Sequence, residues 1–248
     1  MSLASLAERH PVAAATACAG AQFALTGLIL LGGAAWLPRS AFGAVKLTAF
    51  ASTVILPLAL VQLFGLWRRV GFERIRPDTV FFASLIPAAL LLVAGLHPGS
   101  EIGGGSIPGE LGMQFVNAFA EELLFRGVIF ALLVRVPVWQ GLLVQGLLFG
   151  AMHLLHGFMD GAWAEAFAQM GMTAVAGMLF AAVRYATGSL WLAIALHMIL
   201  NLAMVYSNIE PAWGADALQA VERLMTLAEA AVALYVAGRA ASEAAARG

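Results

Sequence analysis

FVNAFAEELLFRGVIFALLV, residues 115–134, is apolar over the length a helix needs to cross a bilayer, yet it carries Glu121, Glu122 and Arg126 near its middle. Spanning the hydrocarbon core takes about 20 residues. A charge at the centre of such a helix costs on the order of 3 kcal/mol by insertion scales. Three charges in one span therefore have to face one another, other polar groups or an internal water pocket. The rest of the chain has to supply those partners.

The surrounding sequence makes lipid the solvent. Of 248 residues, 62% are hydrophobic and 11% are charged, with a mean hydropathy of +0.89. A soluble domain carries about 25% charge. The net charge of −1 gives no reason to expect nucleic acid as a partner. Cys18 is the single cysteine, so neither an internal disulfide nor a Cys-rich metal site is available. Apolar runs bounded by charge, Pro or Gly predict spans at Val12–Leu37, Ala44–Trp67, Thr79–Leu96, Leu111–Val134, Val138–His156, Trp163–Val183, Ser189–Tyr206 and Leu218–Ala237. The first run is too long for a signal-peptide core and is read as a span. Pro57 and Pro87 fall inside spans, where they are expected to kink the helix. The fold class is thus all-α: a polytopic integral membrane protein of about eight transmembrane helices in one membrane domain, residues 1–248.

Charge sets the orientation. Alternating through these spans puts Arg9, Arg68, Arg69, Arg74, Arg76, Arg135, Arg184, Arg239 and Arg247 on one side, and Arg39 and Lys46 on the other. The acidic loop residues Glu101, Glu110, Asp160, Glu165, Glu210 and Asp216 gather on that other side. The positive-inside rule makes the arginine-rich side cytoplasmic, with both termini there. The expected location is the cytoplasmic (inner) membrane of a prokaryote. Six tryptophans near span ends (Trp36, Trp67, Trp139, Trp163, Trp191 and Trp213) suit an interfacial belt.

Two further spans carry polar groups: His153 and His156 in the fifth, His197 and Asn201 in the seventh. Glu122 and Arg126 are one turn apart with the acid N-terminal, the favourable order for an ion pair. Glu121 is rotated by about 100° from Glu122 and is free for other work. His197 and Asn201 share a face. The economical arrangement brings Glu121, His153, His197 and Asn201 together, with Glu122–Arg126 bracing the fourth helix from behind. His156 beside Gly157 reads as a helix end at the interface, and Ser189 after Gly188 as a cap for the seventh helix.

Three motifs in order, each on a predicted span, carry a resemblance. Glu121-Glu122-Leu123-Leu124-Phe125-Arg126 fits EExxxR, Phe149-Gly150-Ala151-Met152-His153 fits FxxxH, and His197-Met198-Ile199-Leu200-Asn201 fits HxxxN. With Thr187-Gly188-Ser189-Leu190-Trp191, they resemble the type II CAAX prenyl endopeptidase family, also called CPBP or Abi intramembrane proteases. The likeness runs from about Phe115 to Ala203, and the protease core is placed at about residues 111–207. The resemblance implies an endopeptidase acting near the C-terminus of a membrane-associated protein or peptide. It would make Glu121 and His153 the pair that activates water, and His197 and Asn201 the donors to the oxyanion. Glu122 and Arg126 would be structural support.

The residues alone allow the same chemistry, since peptide hydrolysis needs a base, a water and oxyanion donors. No Ser or Cys sits beside a base in these helices, which argues against a covalent acyl-enzyme. No cofactor is expected. Zinc is the alternative: Glu121, His153 and His197 are legitimate ligands, although no HExxH helix is present. A non-catalytic membrane protein that binds a partner or confers immunity is the rival class. The topology predicts access to the site from the non-cytoplasmic side or laterally from lipid.

Overall fold

A computed structural model of the chain describes residues 7–75, 78–86, 107–205 and 207–247. Helix α1 (Pro11–Trp36) begins on a proline, whose missing N–H is harmless in the first turn. A short 3₁₀ turn, Arg39–Ala41, leads into α2 (Phe42–Phe64), which runs unbroken through the buried Pro57. A further helical stretch covers 79–86; the rest of the expected span Thr79–Leu96, including Pro87, lies outside the described residues. Helix α3 (Ile107–Glu122) continues into a π-helical segment, Leu123–Ile129, a single turn Phe130–Leu132 and a 3₁₀ end, Leu133–Arg135. Then come α4 (Val138–Met152), α5 (Leu155–Asp160), α6 (Trp163–Thr187), α7 (Leu190–Val205), α8 (Ile209–Trp213) and α9 (Ala215–Ala245).

The described fold is all-helical, and its one β contact is an isolated bridge between Phe72 and Ser189. Among the described residues five segments are long and apolar enough to cross a membrane: α1, Arg39–Phe64, Val138–Asp160, α6 and α9. Helix α7 is apolar but shorter. Leu28, Leu47, Ile55, Leu63, Leu227 and Leu234 stand exposed on these helices. Water would penalise such a surface, whereas a hydrocarbon solvent does not. All six tryptophans are exposed as well, at or near helix ends.

Small residues set the helix spacing at the centre. Gly146 and Gly150 of α4 lie one turn apart against α6. A Cβ on Gly146 would come within 2.5 Å of the Ala174 carbonyl oxygen, and one on Gly150 would strike the Met170 carbonyl oxygen. Gly177 of α6 approaches the Gly146 Cα in return. This close backbone approach is the GxxxG mode of membrane helix packing. Gly150→Leu should therefore lower stability by about 3 kcal/mol, the upper end for overpacking, because the obstacle is backbone. Gly171→Ala, with open space around it, should cost little. Equal thermal midpoints for the two purified variants would contradict this packing account.

One end of the bundle gathers basic segments. Arg135 lies 3.6 Å from Glu8, and Arg184 donates to the Arg69 carbonyl at 2.9 Å. Gly188 ends α6 in a left-handed conformation, φ +72°, and the chain turns back onto residues 69–73. There Leu190 N–H donates to the Gly71 carbonyl at 2.7 Å, and the Ser189 hydroxyl donates to the Glu73 carbonyl at 3.0 Å. The expected role of Ser189 as a helix cap is corrected. Its hydroxyl is instead used as a donor, which ties the start of α7 to the loop at residues 69–73.

Candidate active site

The site begins where α3 changes pitch. Every residue from Leu123 to Ile129 is buried, and the wider π turn starts directly after Glu121 and Glu122. Such bulges recur at functional sites because they re-aim side chains that a regular helix would hold on fixed stripes. Arg126 still reaches Glu122, Nη1 to Oε1 at 2.9 Å, and both residues are 0% exposed. Its Nη2 donates to the Gly177 carbonyl at 2.8 Å. The glycine seam between α4 and α6 brings that carbonyl close. The guanidinium carbon lies 4.5 Å from the Phe149 ring centre and 5.1 Å from that of Phe180. Aromatic faces and one carboxylate therefore replace water around this cation.

His197 of α7 is held between two carboxylates. Its Nδ1 lies 2.9 Å from Glu122 Oε1, and its Nε2 lies 3.8 Å from Glu121 Oε2. The ring stacks on Phe180 at 5.1 Å and 14°, and meets Phe149 edge-on at 5.7 Å. A carboxylate accepts, so Nδ1 carries the proton and donates it to Glu122. Nε2 is left turned towards Glu121, beyond direct hydrogen-bond length in the absence of substrate. Glu122 and Arg126 form the expected pair, but Glu122 does not sit behind the site. It is also the group that orients His197, because its carboxylate oxygen accepts from both partners.

His153 stands where α4 gives way to α5. The backbone tightens there, with His153 N–H bonded to the Gly150 carbonyl at 3.0 Å. Its Nδ1 donates to the Phe149 carbonyl at 3.1 Å. That bond fixes the neutral tautomer, which leaves a lone pair on Nε2. His153 borders two cavities. One, of about 370 Å³, is lined by Glu121, His156, Asn117, Gln22 and Gln169 as well as His153. The other, of about 240 Å³, adds His197, Asn201, Glu222 and Glu229. Asn201 lies one turn after His197 and faces this second space.

Of the four residues expected to converge, Glu121 opens on the first cavity and His197 and Asn201 on the second, while His153, with Gln169, lines both. His156, the second residue of α5, is exposed. It also bonds Gln169, Nδ1 to Oε1 at 2.8 Å, on the rim of the larger cavity. Two features escaped the sequence reading. The π turn has no residue-level signature. Glu229 has one, an acid set in the apolar stretch that follows Arg223 in the last expected span. Among the described residues no three His, Cys, Asp or Glu side chains group so as to hold a metal ion.

Membrane-length helices around a carboxylate–histidine centre define a class: helical membrane proteins with an internal polar site. Residues 104–203 match the model of the family described as Type II CAAX prenyl endopeptidase Rce1-like, a protease family. The match covers less than half of the chain and holds all three motifs and the whole of α4 to α6. No curated protein and no solved structure matches the chain.

Proposed function

We propose that the chain is an intramembrane endopeptidase that cuts a membrane-associated protein or peptide near its C-terminus. The observation that carries this reading is the seating of His197 between Glu121 and Glu122, on a cavity it shares with His153. A water between Glu121 and the free Nε2 of His153 loses a proton to this pair as it attacks the scissile carbonyl. Asn201, and Nε2 of His197 when protonated, donate to the oxyanion. The proton then passes to the departing amine as the C–N bond breaks. Water is consumed, and no acyl-enzyme forms. Prenylated C-terminal tails are the substrate class that the family description suggests.

The chain crosses the membrane about eight times in this reading, with both termini cytoplasmic. The pairing of Arg135 with Glu8 and of Arg184 with the loop at Arg69 supports it, since it collects basic segments at one end. The larger cavity is lined by Leu155, His156 and Met159 of α5, at the other end of α4 from Arg135. Access is then from the non-cytoplasmic side. An impermeant thiol reagent should label His156→Cys, in a Cys18→Ala background, in intact cells. Labelling only after lysis would reverse the orientation.

The proteolytic reading is tested with purified protein in nanodiscs and a lipid-anchored, fluorescence-quenched peptide. Cleavage should persist after o-phenanthroline or EDTA treatment. Loss that is restored only by added zinc would overturn the metal-free mechanism.

A further inference from the structure

We infer that the cavity between α4, α6, α7 and α9 receives a basic side chain of the substrate, with Glu229 as its counter-charge; this rests on the proteolytic reading above. Glu229 is 1% exposed, and its buried Oε1 has no hydrogen-bond partner among the described residues. A buried carboxylate without a donor is one of the costliest groups a fold can keep. Nothing in the mechanism above uses it.

The neighbouring polar groups do not relieve it. The Thr226 hydroxyl donates to the Glu222 carbonyl at 2.9 Å, and the Thr173 hydroxyl donates to the Gln169 carbonyl at 2.7 Å. The Nδ1–H of His197 donates its hydrogen bond to Glu122. Glu222 lies two turns before Glu229 and lines the same space, so a second acid reinforces the sign. No Lys or Arg lines the cavity among the described residues. Among the described residues its wall therefore carries two acids and no permanent cation.

The walls fit the rest of such a side chain. Met172, Met204 and Met225 are unbranched and adaptable, and can lie along a methylene stem whose charged head reaches Glu229. His153, His197 and Asn201 border the same cavity, so a side chain lodged here belongs to a residue close to the scissile bond. Selectivity for a basic residue is the consequence, since a site built for a charge rejects the neutral isostere.

The test uses the full-length protein in nanodiscs and two lipid-anchored quenched peptides that differ only in Lys or norleucine near the cleavage site. Each position flanking the cut is scanned. Wild type should favour the Lys peptide at one position by roughly 30-fold or more in kcat/KM, carried mainly by KM. Glu229→Gln, and separately Glu229→Leu, should abolish that preference. A wild type that treats the two alike at every position would overturn the inference, as would an undiminished preference in both variants. In a parallel arm, n-hexylammonium should raise the thermal midpoint of wild type more than n-hexanol does, and should lose that advantage in Glu229→Gln. This arm decides the inference even where wild type cuts no peptide, an outcome that would count against the proteolytic reading instead.

Discussion

Arg126→Ala is expected to yield little folded protein, with a stability loss of about 3–5 kcal/mol, the range for removing one member of a buried ion pair. Glu122 is left with His197 alone, the Gly177 carbonyl loses the guanidinium, and the faces of Phe149 and Phe180 lose their cation. The comparison with a double replacement is the informative one. Glu122→Leu with Arg126→Met fills the same space without charge, and such exchanges often preserve or raise stability. That variant should fold but be inactive, because Nδ1 of His197 no longer has an acceptor to set its tautomer. Thermal midpoints in detergent, measured beside cleavage of the reporter peptide, separate the two roles of Glu122. An Arg126→Ala protein as stable as wild type would mean that the pair is dispensable to the fold.

Glu121→Gln is the second large effect, and it falls on rate rather than stability. The side chain of Glu121 is 29% exposed and lies outside the buried pair, so an isosteric amide leaves the packing alone. In the proposed mechanism it removes one of the two groups that take the proton from water. The expected loss is about 10²–10⁴ in kcat, the range for a positioned general base, with KM little changed. His153→Ala should cost a similar factor, and the double variant should be scarcely worse than either, since the two act on one water. Fully multiplicative losses would assign them to separate steps.

The fold was legible wherever hydrophobic length alone decides. The spans at Pro11–Trp36, Arg39–Phe64 and Trp163–Thr187 stand within a few residues of their expected bounds, because lipid imposes one period and one length. The pairing of Glu122 with Arg126 was legible for the same reason, since four residues are one turn. What failed to show was the detail that tertiary contact sets. Adjacent carboxylates about 100° apart look as though they must serve different neighbours. Here a single imidazole lies between them, bonded to Glu122 through one nitrogen and turned towards Glu121 with the other. Ser189 looked like a cap until the loop at Gly71 and Glu73 folded beneath it. Gly146 and Gly150 have a GxxxG spacing in the sequence, but which helix they meet shows only in the approach of α6.

The most direct measurement compares membranes of cells expressing wild type with those expressing Glu121→Gln at equal abundance, counting new protein C-termini by mass spectrometry. The account predicts new C-termini on membrane-associated proteins that appear with wild type and vanish with the variant. The same new termini in both strains, or none in either, would contradict it.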